Sequence, residues 1–523
     1  MRERCSSSVV DRRPEKSAPR KSPPRKSTSR KSDPRKWDQR PLAACGRGEA
    51  KSPRMRVLPF IVLCLAAGSV QADLPSEVES VLAGLRVPDA DVSIVVQAVD
   101  AAEPILSQLP DAPRNPASVM KTVTTWTALE SLGPTFEWPT EVYFLGDFDG
   151  KTLDGDIAFK GYGDPYLVEE EVWKMLRALR RAGLEEIKGD FVFDDSYFAV
   201  DDDAPGSFDG EPYRSYNVVP NALLMNFKAV QLQIVPDRVG GKVRVATDPI
   251  LSNLEIRNDI KLGDGSCGGF QRGVSFDHAS SGALDHVVLG GEYSRRCNAY
   301  SLSRTVLQHD TYAFGLFSSL WREVGGKFSG KLKRAVVPPG SVPALIWSSV
   351  PLGEVIRSIN KNSNNVMTRQ LVYTLGAQRY GAPGTRENGV RAIREFLGSR
   401  GLDVAPLAMQ NGAGLSRDER VSARLLVGVL RAAARSPFGA EFIASLSLGG
   451  RDGTTRNRFN DGSVEAVTHV KTGRIDDVSA LAGYVHGPEH TYAMAILVNG
   501  KAADRGPGQE IEEAVVRWIQ SRP

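Results

Sequence analysis

Apolar positions in the early and late parts of this chain recur with the period of a helix. The period and the capping residues predict helices at 74–85, 116–132, 352–375, 385–398, 422–434 and 509–519. Runs rich in β-branched and aromatic residues predict strands at 91–99, 141–145, 469–472, 480–485 and 491–498. This mixture predicts an α+β domain in which helices flank an antiparallel sheet.

The pattern changes between these two parts. Residues 146–339 contain short β runs that are separated by Gly, Asp and Pro turns, with one amphipathic helix at 169–182. We interpret this stretch as a β-rich insertion of one or two small domains. It divides the α+β domain into the segments 73–145 and 340–523.

The formal net charge of +4 averages two unlike parts of the 523-residue chain. Residues 1–56 hold 18 Lys and Arg against 6 Asp and Glu, whereas residues 57–523 hold 48 against 56. The basic, Ser/Pro/Arg-rich stretch at 1–54 has too few apolar residues to form a core, so we interpret it as a disordered extension or a misassigned start. The alternative is a nucleic-acid-binding tail, which would have to remain on the mature chain. The acidic remainder does not favour a nucleic-acid surface.

Residues 55–72 have the arrangement of a secretory signal peptide. Met55 and Arg56 precede a short apolar run, and the small residues near its end predict cleavage after Ala72. The alternative is a buried strand or helix. Only Cys267 and Cys297 follow the cleavage point, and an oxidising compartment would favour a disulfide between them over two free thiols.

Three short motifs carry the candidate chemistry: Ser118-Val-Met-Lys121, Ser363-Asn-Asn365 and Lys471-Thr-Gly473. Ser118 and Lys121 are three residues apart, which places them on one face of a helix. A serine hydroxyl needs a base to become a nucleophile, and a buried lysine beside a second cation tends to be neutral. Lys121 is therefore the predicted base and Lys471 the second cation.

The remaining motif residues complete an acyl-transfer pocket. We expect Ser363 to relay a proton and Asn365 to hold a substrate amide, while Thr472 and Gly473 line the substrate. The backbone N–H groups of Ser118 and Arg474 are the predicted oxyanion donors. Each motif alone is common, and Ser358-Ile-Asn360 fits the second pattern as well as Ser363 does. Their joint order favours a site.

The sequences around these motifs resemble those of the D-alanyl-D-alanine carboxypeptidase/endopeptidase family, the class C low-molecular-mass penicillin-binding proteins. The matching segments are those at 115–121, 161–165, 360–365, 411–417, 471–473 and 478–484. The segment at 360–365 favours Ser363 over Ser358. The long insertion between the first two motifs is also a feature of that family.

This resemblance implies a penicillin-binding transpeptidase-like fold and a periplasmic serine DD-peptidase. It implies peptidoglycan stem peptides as substrates, an acyl-enzyme on Ser118 and β-lactams as inhibitors. The six histidines have no metal-binding spacing, so we expect no metal and no cofactor. A peripheral membrane contact and the oligomeric state stay open. A β-lactamase and a non-catalytic wall-binding protein are the alternative functions, although the chain has no Glu-x-x-x-Asn of class A β-lactamases between its second and third motifs.

The resemblance also implies two substrate contacts outside the motifs. Arg417 matches an arginine that contacts substrate, with a surface ion pair as the alternative. Asp194 or Asp195 matches a substrate-side carboxylate from the insertion. One departure is Arg474, which stands where the family usually has Thr or Ser. Its charge could bind a substrate carboxylate or block one.

Overall fold

The computed structural model describes residues 74–201, 204–281, 284–459, 462 and 464–522. The basic stretch and the predicted signal peptide lie outside these residues. The helices are α1 (Ser76–Leu85), α2 (Met120–Leu132), α3 (Glu169–Arg181), α4 (His309–Glu323), α5 (Leu352–Asn362), α6 (Asn365–Tyr380), α7 (Arg386–Ser399), α8 (Ala423–Ala434), α9 (Gly439–Ser445) and α10 (Pro507–Ser521). The strands are β1 (Val92–Ala98), β2 (Leu106–Gln108), β3 (Pro139–Phe148), β4 (Thr152–Gly161), β5 (Glu186–Ile187), β6 (Phe191–Asp194), β7 (Val230–Asp237), β8 (Lys242–Asp248), β9 (Leu254–Asn258), β10 (Lys261–Gly263), β11 (Val274–Ser281), β12 (Leu284–Ser294), β13 (Tyr300–Arg304), β14 (Lys327–Phe328), β15 (Leu332–Arg334), β16 (Leu345–Ser348), β17 (Ser447–Leu448), β18 (Thr468–Ile475), β19 (Val478–His486) and β20 (Thr491–Asn499).

Several helices begin where the sequence predicts a cap. The side chain of Thr385 accepts a hydrogen bond from the backbone N–H of Asn388 at the start of α7. Ser422 does the same for Leu425 at the start of α8. These hydroxyls satisfy N–H groups that have no partner inside the helix. None of the helices in the described ranges combines the length and apolar character needed to span a membrane.

A six-stranded antiparallel sheet forms the centre of the α+β domain, in the order β17-β18-β19-β20-β1-β2. Successive side chains of a strand point to opposite faces. In β1, Ile94 and Val96 join the core beneath α1 and α10, whereas Val95 joins the core beneath the other helices of this domain. Because both faces are covered, β19, β20 and β1 are mostly apolar, whereas the inner strand β18 carries the polar third motif. The predicted α+β class is confirmed.

The inserted region has a sheet of its own, in which β3 and β16 pair with each other and β3 pairs with β4. Through β3 and β16 this sheet extends into both predicted segments of the α+β domain, 73–145 and 340–523. A short apolar run does not carry information about which sheet it joins, because its partners are distant in sequence. We infer that the inserted region begins near Pro139 and ends near Ser348.

Two smaller sheets complete the inserted region: β13-β7-β8, and β12 flanked by β11 on one side and β9 and β10 on the other. They share one hydrophobic core with the larger sheet and with α3 and α4. Phe159, Phe191 and Phe317 pack together at its centre, with ring centroids 4.9–5.4 Å apart. The predicted disulfide between Cys267 and Cys297 is confirmed in this region.

Candidate active site

Ser118 lies in a 3-10 turn, Ala117–Val119, that leads directly into α2. The side-chain oxygen of Asn115 accepts a hydrogen bond from the Ala117 N–H at 2.8 Å, which secures the turn. Ala117 has a left-handed backbone with φ of 43°, a conformation that costs a non-glycine residue about 1–2 kcal/mol. The turn packs directly against Gly414. The contact is so close that a Cβ on Gly414 would come within 1.8 Å of the Ala117 carbonyl oxygen.

The amine of Lys121 meets three acceptors from three parts of the chain. Its Nζ lies 2.9 Å from Ser118 Oγ and 2.6 Å from Asn365 Oδ1. It also donates to the carbonyl oxygen of Ala413. The side chain is fully buried, so this amine reaches no bulk water. The first two motifs therefore meet at a single nitrogen atom.

The sequence predicts one continuous helix at 352–375. In the structure, the second motif instead spans a break between two helices. Helix α5 ends at Asn362 and α6 begins at Asn365, with Ser363 left-handed between them at φ of 56°. Asn364 caps α6 by accepting a hydrogen bond from the Met367 N–H at 3.0 Å. A left-handed serine has no local signal comparable to glycine, which explains the error.

The break directs Ser363 and Asn365 toward different lysines. Ser363 Oγ accepts a hydrogen bond from Lys471 Nζ at 2.9 Å, whereas Asn365 faces Lys121. The competing pattern at Ser358 and Asn360 lies within α5, where the amide of Asn360 is buried and donates to the Ser445 hydroxyl. Of the two patterns, only the one at Ser363 contacts the other motifs.

The third motif lies on β18, directly against the Ser118 turn. A Cβ on Gly473 would lie 2.4 Å from the Pro116 carbonyl oxygen and 3.1 Å from the Ser118 nitrogen. No larger residue fits between the strand and the turn, which is why glycine stands there. Lys471 is fully buried, and its Nζ also donates to the Thr472 carbonyl oxygen at 2.7 Å.

The electrostatics of the site favour neutral amines. Burial, and after it the positive charge of Lys471, lower the pKa of Lys121 well below its ordinary value. Burial alone lowers the pKa of Lys471 to about 7. A low-dielectric interior disfavours the charged form of a lysine, and two adjacent ammonium groups repel each other. Such a pair can supply a base and a proton carrier near neutral pH.

The open side of the site contains hydroxyls and a cation. Thr472 Oγ1 donates to Thr454 Oγ1 at 2.8 Å. No sequence motif predicts Thr454, because it lies in a Gly-rich turn with no distinctive spacing. Arg474 is exposed and forms no ion pair with the described part of the chain. The two threonines and Arg474 could bind a carboxylate.

Arg417 fits both of its predicted interpretations in part. It lines a cleft of about 260 Å³, and its guanidinium lies 5.1 Å from the centre of the Phe208 ring. It is also paired with Asp476, whose carbonyl and carboxylate oxygens accept hydrogen bonds at 3.0 Å. The ion pair neutralises much of the charge that Arg417 would otherwise present to a substrate.

The prediction that Asp194 faces the substrate is wrong. This side chain is 1% exposed, and its two oxygens accept hydrogen bonds from the backbone N–H groups of Ser196 and Val337. Asp195 is also engaged, with Arg334 and Asn221. Sequence likeness does not fix the side-chain direction at the end of β6, which depends on tertiary pairing. No group of three or more His, Cys, Asp or Glu side chains within the described ranges could hold a metal ion.

A model of the D-Ala-D-Ala carboxypeptidase 3 (S13) family matches residues 74–522. The chain belongs to this family. Among its S13 relatives is a D-alanyl-D-alanine carboxypeptidase from Actinomadura sp. (strain R39), which is 28% identical over 489 residues. That alignment covers 88% of this chain and 89% of the relative. Membership confirms the predicted enzyme class, a serine D-Ala-D-Ala carboxypeptidase.

This S13 member also shares its fold with penicillin binding protein 4 (dacB) from Haemophilus influenzae. The TM-score is 0.73 at 21% identity, and the match covers 85% of this chain and 99% of the other. A structure of the same H. influenzae protein complexed with a novel β-lactam matches with a TM-score of 0.69 at 20% identity, over the same shares of the two chains. The predicted penicillin-binding transpeptidase-like fold is thereby confirmed.

Proposed function

We propose that Ser118 is the acylated nucleophile of this serine DD-peptidase and that Lys121 is its base. The observation that carries the proposal is the 2.9 Å contact between Lys121 Nζ and Ser118 Oγ, made by a fully buried amine. A neutral amine in this place can accept the hydroxyl proton as the oxygen attacks. General bases positioned within hydrogen-bond reach contribute about 10²–10⁴-fold to a rate.

The substrate is the D-Ala-D-Ala end of a peptidoglycan stem peptide, or the equivalent cross-link. Ser118 Oγ attacks the carbonyl carbon of the penultimate residue, and the proton passes to Lys121. Ser363, bonded to Lys471, then relays this proton: its own hydroxyl proton goes to the departing amine as the C–N bond breaks, and the Lys121 ammonium replaces it and becomes neutral again. The backbone N–H groups of Ser118 and Arg474 stabilise the oxyanion. Water later hydrolyses the ester and regenerates the hydroxyl.

Recognition of the terminal carboxylate is the task proposed for the open side of the site. The Thr454 hydroxyl supports it, because it accepts a hydrogen bond from Thr472 and can donate its own proton to a carboxylate oxygen. Arg474 adds a positive charge that pairs with no described residue. Arg417 contributes less than the sequence suggests, because Asp476 already occupies its guanidinium.

We further propose that the mature enzyme is periplasmic and binds β-lactams. The predicted signal peptide supports the location. The β-lactam complex of the H. influenzae protein supports the binding, since the two chains share a fold. A β-lactam resembles the same acyl donor, and its ring-opened ester would remain on Ser118.

Labelling with a fluorescent penicillin tests this proposal, with release of D-alanine from a stem pentapeptide as the second readout. We expect the wild-type enzyme to label and to release D-alanine, and Ser118→Ala to do neither. Ser358→Ala is the matched control and should retain both activities, because Ser358 makes no contact with the motif lysines. Labelling of Ser118→Ala at the wild-type rate would refute the assignment of the nucleophile.

A further inference from the structure

A fully buried carboxylate lies behind the catalytic lysine. Glu419 is 0% exposed, although it stands in the strongly charged run Arg417-Asp418-Glu419-Arg420. Such a run predicts a solvated loop, so the sequence does not single Glu419 out. Glutamate is almost never fully buried unless its charge has partners.

The first role of Glu419 is to organise the loop at 410–414. Its Oε1 accepts hydrogen bonds from three consecutive backbone N–H groups, those of Gln410, Asn411 and Gly412, at 3.3, 3.0 and 3.1 Å. Three donors that converge on one oxygen leave this backbone little freedom. Charge-assisted hydrogen bonds of this kind are stronger than neutral ones.

That loop in turn contacts the catalytic machinery at three points. The Ala413 carbonyl oxygen accepts a hydrogen bond from Lys121 Nζ. The Gly412 carbonyl oxygen accepts another from the Thr124 hydroxyl at 2.7 Å, one helical turn after Lys121. Gly414 packs against the Ala117–Ser118 peptide so closely that no side chain fits there. A displacement of the loop would move both the nucleophile turn and an acceptor of the base.

The second role of Glu419 is electrostatic. The charged groups that act on Lys121 are Lys471 from β18, Arg369 from α6 and Glu419 from the loop. Only Glu419 among them is an anion, and it opposes the two cations. Its Oε2 is buried and accepts no hydrogen bond from the described residues.

We propose that Glu419 is a positioning residue for the acylation step: it holds the 410–414 loop against Ser118 and Lys121, and its ionised carboxylate balances the buried lysine pair. This inference rests on the proposed function, in which Lys121 is the base. Burial raises the pKa of Glu419, and the three loop N–H groups and the charge of Lys121 oppose that rise. Glu419 in turn opposes the lowering of the Lys121 pKa by burial and by Lys471.

Two substitutions separate the two roles. Glu419→Gln retains a carbonyl oxygen for the loop N–H groups but removes the charge. Glu419→Ala removes both the acceptor and the charge. Asp418→Asn is the matched control, because it removes one negative charge from an exposed side chain of the same loop. Thermal unfolding of each variant establishes that it is folded before its kinetics are compared.

The readout is the second-order rate of acylation by a chromogenic β-lactam, measured from pH 5 to pH 10. Without the Glu419 charge the pKa of Lys121 falls further, so the acidic limb of the profile should move to lower pH in Glu419→Gln. Glu419→Ala should show the same shift of the acidic limb and, in addition, a loss of about 100-fold on the plateau of the profile, because the loop and the Ala413 acceptor move. Asp418→Asn should reproduce the wild-type profile.

The outcomes distinguish this inference from the proposed function. If the wild-type enzyme is acylated on Ser118 and Glu419→Gln has an unshifted profile, the electrostatic role is refuted while the nucleophile stands. If Glu419→Ala is folded and acylates at the wild-type rate, the positioning role is refuted. If the wild-type enzyme is not acylated on Ser118, the proposed function itself fails.

Discussion

The point where the three motifs meet, which we call the junction, and the core of the inserted region are both fully buried. The junction buries charged side chains, whereas the inserted core buries apolar ones. At the junction Lys121, Lys471 and Glu419 are all 0% exposed. The inserted core is built from apolar side chains such as Phe159 and Phe317, with a disulfide nearby. Burial stabilises the second region, whereas in the first it shifts pKa values and costs stability.

The backbone near the three motifs is also unusual. Ala117 and Ser363 stand next to or within the catalytic motifs in left-handed conformations that non-glycine residues rarely adopt. Both are held by contacts from other parts of the chain: Gly414 against Ala117, and Lys471 on Ser363. The comparison teaches that backbone strain and fully buried charged side chains coincide where the three motifs meet, whereas apolar packing holds the aromatic centre of the inserted core.

The largest expected effect is that of removing Lys121, the proposed base. Lys121→Met removes the amine but retains an unbranched side chain that fills the same space. We expect acylation by a fluorescent penicillin at pH 7 to fall by about 10³-fold. Lys228→Met is the control, because Lys228 is a buried lysine of the inserted region whose pKa is lowered by burial to about 8. An equal loss of acylation rate in both variants would contradict the prediction that the buried lysine at the motifs has a role that the buried lysine of the inserted region lacks.

A cavity in the inserted core should have a large effect of another kind. Phe317 is fully buried among other aromatic rings, so Phe317→Ala should lower the free energy of unfolding by about 3–5 kcal/mol. Urea unfolding measures this loss. The acylation rate per folded molecule should stay at the wild-type value. A rate that falls in proportion to stability would show that the inserted core also controls the chemistry.

Lys471→Met should have a smaller effect on the free energy of unfolding. The change should be a gain in stability, opposite to the loss in Phe317→Ala. An unfolded lysine has a pKa of 10.5, whereas the folded Lys471 has a pKa of about 7. Between these values the unfolded state binds more protons, so wild-type stability should rise as pH increases from about 7 to 10.5. Lys471→Met should be more stable at pH 7, by on the order of a few kcal/mol, and its stability should change less over this range.

Thermal and urea unfolding at pH 7 and pH 10 measure both quantities. Parallel pH dependence of the two proteins would mean that Lys471 is not neutralised by burial. Acylation should be impaired in Lys471→Met in spite of its greater stability, because Ser363 loses its partner. A variant that gains stability and loses activity would demonstrate the trade between the two at this residue.

The sequence was informative where chemistry depends on residue type and order. The motif residues Ser118, Lys121 and Lys471 could be singled out because few other arrangements provide a nucleophile, a base and a second cation in this order. The α+β class followed from helical and β periodicities, and the disulfide from the count of cysteines after the predicted cleavage point.

The sequence was uninformative where tertiary contacts decide. The left-handed Ser363 has its side-chain partner in Lys471, which is 108 residues away. The strand at 139–148 pairs with β16 across the whole insertion. Asp194 points into the protein, where its carboxylate accepts hydrogen bonds from two backbone N–H groups. Glu419 has the surroundings of a surface residue in the sequence and those of a core residue in the fold.

The most direct test of the central claim is to map the β-lactam adduct by mass spectrometry of proteolytic peptides. The wild-type enzyme, treated with penicillin at neutral pH, should carry a single adduct on Ser118. The adduct should be absent from Lys121→Met over the same time and present in Lys228→Met. An adduct on any other residue, or one on Ser118 that forms equally fast without Lys121, would contradict the account.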